Sequence, residues 1–244
     1  MYYDDHRFKH HPLFQALRQG ITHVTSLQSY RSIRTDGYIN PNNGQYLTTH
    51  HQSSTSRVAQ LGGISLFDFE LPDAIIFDDE ILHWPSFLTV HKPVNVIFTL
   101  RREDLADRLM SNDEIRASTS QGTLISQVEV CYRGQIPVSA ITQTIFVCSD
   151  QPEIFEVLET PILPDEHVAD ICLRMKRRLV EGDFGWKEVT VLTQVTDKAV
   201  AILTPEGECF FIKTPPEDEE HWYRDGDKLL VSPETNMISC KDIS

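Results

Sequence analysis

The 244-residue chain reads as an α+β protein, with helices flanking an antiparallel sheet and a small β-rich module at its C-terminal end. Three observations predict this. Runs rich in β-branched and aromatic residues recur before residue 150, an amphipathic helical pattern spans 165–182, and short alternating segments follow Trp186. Hydrophobic residues make up 40% and charged residues 24%, enough apolar surface to close a core and too balanced for wholesale disorder.

Residues 1–20 are polar and dotted with His6, His10 and His11; they read as an irregular arm, then a short helix through Leu13, Phe14 and Leu17 that stops at Gly20. Residues 21–25 alternate as a strand, with Ile21 and His23 on one face and Thr22 and Val24 on the other. Ser26 stands at an N-cap position, Leu27, Tyr30 and Ile33 recur at helical spacing, and Gly37 supplies the left-handed residue that ends the helix. Residues 38–44 read as a turn and 45–60 as a Ser/Thr/His-rich loop interrupted by Tyr46-Leu47-Thr48.

Strands are predicted at 64–69 and 94–100, and a helix opens at Thr99 or Arg101 with Leu105 and Leu109 on its face. Two more strands, 124–131 and 140–148, flank a turn at 133–137. Pro161 and Pro164 break the pattern ahead of a helix over 165–182 that Asp165 caps, with Val168, Ile171, Cys172, Met175 and Leu179 as its apolar stripe. Strands at 188–195, 199–203, 208–213 and 228–231 then predict a small antiparallel barrel or sheet extension. The expected division is a domain over 1–160, a connecting helix over 161–185 and a β module over 186–244.

Charge narrows the functional classes. Lys and Arg number 22 against 36 Asp and Glu, a formal charge of −14 that repels phosphate backbones and anionic lipid and disfavours nucleic-acid binding through a broad basic face. Arg174, Lys176, Arg177 and Arg178 form the dense basic run, and its place in the last turns of the predicted helix complements the dipole. No apolar run is long enough to span a bilayer, and residues 1–6 lack the apolar core of a secretion signal, so the expectation is a soluble cytoplasmic chain with no membrane partner. Cys131, Cys148, Cys172, Cys209 and Cys240 are odd in number and contain no CxxC pair, which predicts free, mostly buried thiols in a reducing compartment.

No metal site is predicted. Adjacent His50 and His51 point to opposite sides of an extended chain, and Asp68, Glu70, Asp73, Asp78, Asp79 and Glu80 lack the alternating ligands and central glycine of a calcium loop. Nucleotide P-loop, GxGxxG, GxSxG and HExxH patterns do not occur. Two segments carry chemistry instead. One is Thr22-His23-Val24-Thr25-Ser26 with its capped helix, down to Asp36-Gly37-Tyr38-Ile39; the other is Ser126-Gln127-Val128-Glu129-Val130, a carboxylate inside a core-forming strand. Burying even a neutral polar group without a partner costs roughly 2–7 kcal/mol, so Glu129 must be paired, edge-exposed or functional.

A strand-borne histidine followed by Val24-Thr25-Ser26, a helix and Gly37-Tyr38-Ile39 resembles the first motif of the ADP-ribosyltransferase superfamily, and Gln127-Val128-Glu129 resembles its third. The resemblance covers about residues 20–148 and stops before the C-terminal strands. It implies a compact split antiparallel sheet and NAD as the substrate. In that scheme His23 hydrogen-bonds a ribose hydroxyl, the Val24 backbone meets the nicotinamide carboxamide, and Thr25 completes the NAD-binding motif. Glu129 binds the 2′-hydroxyl and stabilises an oxocarbenium-like transition state, while Gln127 orients the incoming nucleophile. The middle motif diverges: Tyr46 is the choice for the aromatic that stacks on nicotinamide in the histidine–tyrosine–glutamate subclass, with Ser54-Thr55-Ser56 as a rival from the arginine–serine–glutamate subclass.

The implied acceptor is a macromolecule, protein or nucleic acid, which the C-terminal module selects. Two alternatives stand beside it. A related RNA 2′-phosphotransferase shares the fold and the use of NAD but needs a basic phosphate-binding set that this chain does not assemble. A catalytically silent adaptor on the same fold would dock a partner through the β module and the acidic loop Glu217-Asp218-Glu219-Glu220-His221-Trp222.

Overall fold

The chain is mixed α+β. A computed structural model describes residues 11–42, 56–70, 94–124, 128–148, 151–182, 187–196, 199–213, 224, 226–231 and 238–239. Two compact units divide it, Met1–Cys172 and Leu173–Ser244. In the first, helix α1 (Pro12–Leu17) precedes strand β1 (Ile21–Ser26), helix α2 (Leu27–Asp36) and the two-residue strand β2 (Tyr38–Ile39). Helix α3 (Arg57–Gln60), strands β3 (Ile64–Asp68) and β4 (Val94–Leu100), helix α4 (Arg102–Leu105), strand β5 (Leu109–Met110) and helix α5 (Asn112–Ser118) follow. Strands β6 (Glu129–Tyr132), β7 (Ile136–Pro137), β8 (Ile141–Cys148) and β9 (Phe155–Leu158) lead to helix α6 (Asp165–Glu181).

Seven strands form one antiparallel sheet in the order β5-β6-β3-β1-β4-β8-β9. Alternation gives it two apolar faces, both of which must be covered. On one, Val24, Ile97 and Ile145 stand in register and pack with Phe67, Phe69 and Val147 against Leu13, Phe14 and Leu17 of α1. On the other, His23, Phe98 and Thr144 share a row, and Tyr30 from α2 stacks on Phe98 at a centroid distance of 5.8 Å and meets Phe146 at a tilt, 5.9 Å away. The Tyr30 hydroxyl accepts from the Leu163 amide at 2.8 Å, and Arg34 pairs with Asp165, so α2 also holds the entrance to α6.

The start of this unit follows the sequence closely. Ser26 accepts from the Ser29 amide at 3.1 Å, and Gly37 closes α2 at φ 75°, a left-handed conformation that costs other residues energy. Several elements differ from expectation. Residues 38–39 are a strand paired with β7 and not a turn, because Ile39 is buried opposite Ile136. Ser56 caps α3 where a loop was expected, its hydroxyl accepting from the Ala59 amide at 3.1 Å. The helix after β4 ends at Leu105 and a 3-10 turn, and Leu109 lies in β5 paired with Tyr132. Helix α5 and strand β9 were not anticipated, although Ser111 and Glu114 form a reciprocal capping box on α5. Among the described residues the 124–131 strand begins at Glu129; residues 125–127 lie outside them.

Gly63 shows how tightly the sheet is roofed. A methyl group there would come to 2.2 Å from Cys131 Sγ and 3.1 Å from the Tyr132 carbonyl, with Val58 of α3 just beyond. The obstruction is partly main chain and cannot swing aside. We expect Gly63→Ala to cost about 1–3 kcal/mol, read as a lower urea midpoint, and a neutral result would mean the strands separate more readily than their packing indicates.

In the second unit, β10 (Lys187–Thr196), β11 (Ala199–Leu203), β12 (Cys209–Lys213), β13 (Lys228–Val231) and β14 (Ile238–Ser239) form an antiparallel sheet in the order β13-β10-β11-β12-β14. Val189, Val191, Val200, Ile202, Ile212 and Val231 are its core. Of the predicted α6 stripe, Val168, Ile171, Met175 and Leu179 are buried and Cys172 only partly so. Cys131 and Cys148 are buried, whereas Cys172 and Cys209 are partly exposed; Cys240 lies outside the described residues. Among the described residues no helix is long and apolar enough to cross a membrane.

Candidate active site

Strand β1 pairs with β4 along all six of its residues but with β3 only at Ile21–Asp68 and Thr22–Phe67. Beyond Thr22 the sheet forks. The Asp68 amide donates to the Val128 carbonyl, so even-numbered residues of β3 turn their main chain toward β6 and the odd ones, Ser65 and Phe67, turn theirs toward β1. At Phe67 that carbonyl is met by the Thr22 hydroxyl at 3.2 Å. At Ser65, inside the fork, it is met by the His23 ring, with Nδ1 at 3.1 Å. A half-buried carbonyl that loses its strand partner is best satisfied by another donor, and here the imidazole is that donor.

The contact fixes the ring. A carbonyl oxygen can only accept, so Nδ1 carries the proton and the neutral tautomer presents Nε2 as an acceptor. Burial pushes the His23 pKa below its ordinary 6.5, and the Ser65 carbonyl draws it partly back.

Ser65 also reaches the carboxylate. Its side chain projects to the same face as Phe67 and Glu129, which are directly paired, and its Oγ donates to Glu129 Oε1 at 2.6 Å. Glu129 is 4% exposed, so this is a buried, hydrogen-bonded carboxyl of the sort a core strand tolerates only with a partner. Simple alternation sends His23 and Glu129 to opposite faces of the sheet. The fork lets both touch one residue between them, Ser65, through its carbonyl and its hydroxyl.

Of the other residues singled out in the sequence, Val24 packs its side chain into the α1 face of the core and Thr25 is buried. Gln127 and Tyr46 lie outside the described residues. Ser56, from the rival serine-threonine-serine reading, spends its hydroxyl on the α3 cap. Among the described residues no group of three or more His, Cys, Asp or Glu side chains is placed to hold a metal ion. Ser65 is not among the residues the sequence singles out, because the middle motif is read there at Tyr46 or at Ser54-Thr55-Ser56. Its signal was a lone hydroxyl between Ile64 and Leu66 in an otherwise apolar stretch, on the face that also carries Phe67.

His11 adds a second low-pKa imidazole: its Nδ1 accepts from the Leu13 amide at 3.2 Å as the cap of α1, and burial lowers its pKa against the raising influence of Glu153. Both shifts have one sign. The folded state binds fewer protons than the unfolded chain below the ordinary 6.5, so the stabilisation is complete above that pH and is lost as pH falls toward the depressed folded values. We expect the urea midpoint of the wild type to drop between pH 7 and pH 5, and His23→Gln to flatten that slope; an equal slope in both chains would refute the assignment to His23.

Comparison of the chain with protein-family models, with curated proteins and with solved structures finds no match in any of the three.

Proposed function

We propose that the chain transfers ADP-ribose from NAD to a macromolecular acceptor. One observation carries the reading: an imidazole and a carboxyl distant in sequence meet the same residue, Ser65, at the point where the sheet forks. The fork accords with the split sheet that the motif resemblance implies, and His23 and Glu129 are the two residues to which that resemblance assigns NAD.

In the reaction, the bond between C1′ of the ribose and the nicotinamide nitrogen breaks. Nicotinamide leaves with the bonding electron pair, and positive charge develops over C1′ and the ring oxygen. The Glu129 carboxylate, buried and oriented by the Ser65 hydroxyl, stabilises that charge where little water competes. His23 Nε2 accepts from a ribose hydroxyl, a role that its fixed tautomer suits. A nucleophile of the acceptor then bonds to C1′ and releases its proton to water. Gln127 orients that nucleophile and Tyr46 stacks on the nicotinamide ring in this reading, as the resemblance has them. The charge of −14 favours a protein acceptor over an extended duplex.

Incubation with NAD labelled in its adenylate part, with and without cell lysate, tests this. Free nicotinamide and a labelled macromolecule are expected, together with a rise in melting temperature on adding NAD. Absence of both the thermal shift and nicotinamide release overturns the proposal in favour of an adaptor.

A further inference from the structure

We propose that Asn112 is a positioning residue for Glu129, an inference that rests on the transfer reading. Parity along β6 turns the Glu129 main chain away from β3 and toward β5, because it is the even-numbered residues of β3 that exchange hydrogen bonds with β6. Strand β5, however, pairs only at Leu109–Tyr132 and Met110–Cys131. Two further residues in that register would set Asn112 opposite Glu129, yet the chain has already turned into α5 there. The Asn112 side chain does what the missing strand would have done: its Nδ2 donates to the Glu129 carbonyl at 3.0 Å.

The amide is itself held. Arg116, one helical turn on, donates from Nε to Asn112 Oδ1 at 2.8 Å, which fixes which end of the amide faces Glu129. Upstream, the Ser111–Glu114 box anchors the first turn of α5. Asn112 is 9% exposed, so water does not readily substitute for it. Ser65 thus holds the Glu129 carboxyl and Asn112 holds the main chain that carries it. Loss of the second contact frees the start of β6 to shift, and a displacement of about 1 Å at a reacting group can cost on the order of a hundredfold in rate.

Asn112→Asp keeps the shape and replaces the donating NH2 by an oxygen facing a carbonyl. With Glu129→Gln as reference, we expect Asn112→Asp to lower kcat for nicotinamide release by on the order of a hundredfold with KM for NAD unchanged, and Arg116→Ala to lower it less. The carbonyl carbon resonance of Glu129 should shift in Asn112→Asp. If Glu129→Gln is inactive while Asn112→Asp keeps the wild-type kcat, the positioning role is wrong and the transfer reading survives. If the wild type and Glu129→Gln consume NAD equally, the transfer reading is wrong and the role in catalysis goes with it. The carbonyl resonance then decides the anchoring alone, an unmoved signal in Asn112→Asp refuting it.

Discussion

Glu129→Gln is expected to lower nicotinamide release by about a hundredfold to a thousandfold, the usual loss when one preorganised charge-stabilising group is removed from a site. The substitution is chosen for what it preserves. Glutamine has the same volume and still offers an oxygen to the Ser65 hydroxyl, so the 2.6 Å contact can persist. What disappears is the negative charge that the proposed transfer sets against C1′ as nicotinamide departs. Because a buried carboxylate is itself costly to desolvate, its neutral replacement should leave the urea midpoint unchanged or raise it. Stopped-flow or end-point assay of nicotinamide, read beside the unfolding curve, checks both halves. A chain that folds normally and keeps its activity would remove Glu129 from the chemistry.

The second large effect concerns the fold. Tyr30→Ala should cost about 3–5 kcal/mol and lower the melting transition of the first unit by on the order of 10 °C. Tyr30 is fully buried, with its ring on Phe98 and Phe146, which come from adjacent strands β4 and β8. Truncation opens a cavity between α2 and the sheet, bordered by aromatic rings that cannot collapse without moving strands. It also strips the Leu163 amide of its acceptor at 2.8 Å. Tyr30→Phe isolates that polar part and should cost about 1 kcal/mol. A loss in Tyr30→Ala no greater than in Tyr30→Phe would mean that the ring contributes little beyond its hydroxyl.

Much of the first unit was legible because its signals are local. Ser26, the 27–30–33 spacing and Gly37 fix α2 within a dozen residues, and the alternation of 21–25 assigned His23 and Val24 to the faces they occupy. What was not legible depends on distant partners. Tyr38–Ile39 is a strand only because Ile136–Pro137 lies beside it, and two residues carry no periodicity of their own. The fork is likewise invisible in a single strand: nothing in the residues of β1 states that β3 leaves it after Thr22. Ser65 escaped for the same reason, since its importance lies in being between two strands. Helix α5 is a different case: Ser111 and Glu114 stand at the spacing of a capping box, but the helix they open has a single buried aliphatic residue, Ile115, and so no stripe to reveal it.

The handover from β5 to α5 has a consequence for how this protein can diverge. Each residue added to or removed from a helix start rotates the downstream side chains by about 100°. A single-codon deletion between Met110 and Asn112 would swing the amide off the Glu129 carbonyl while leaving the rest of the unit's sequence untouched. The count of residues there is therefore constrained together with the identities of Ser111 and Asn112, and variants that keep the contact to Glu129 should keep that count.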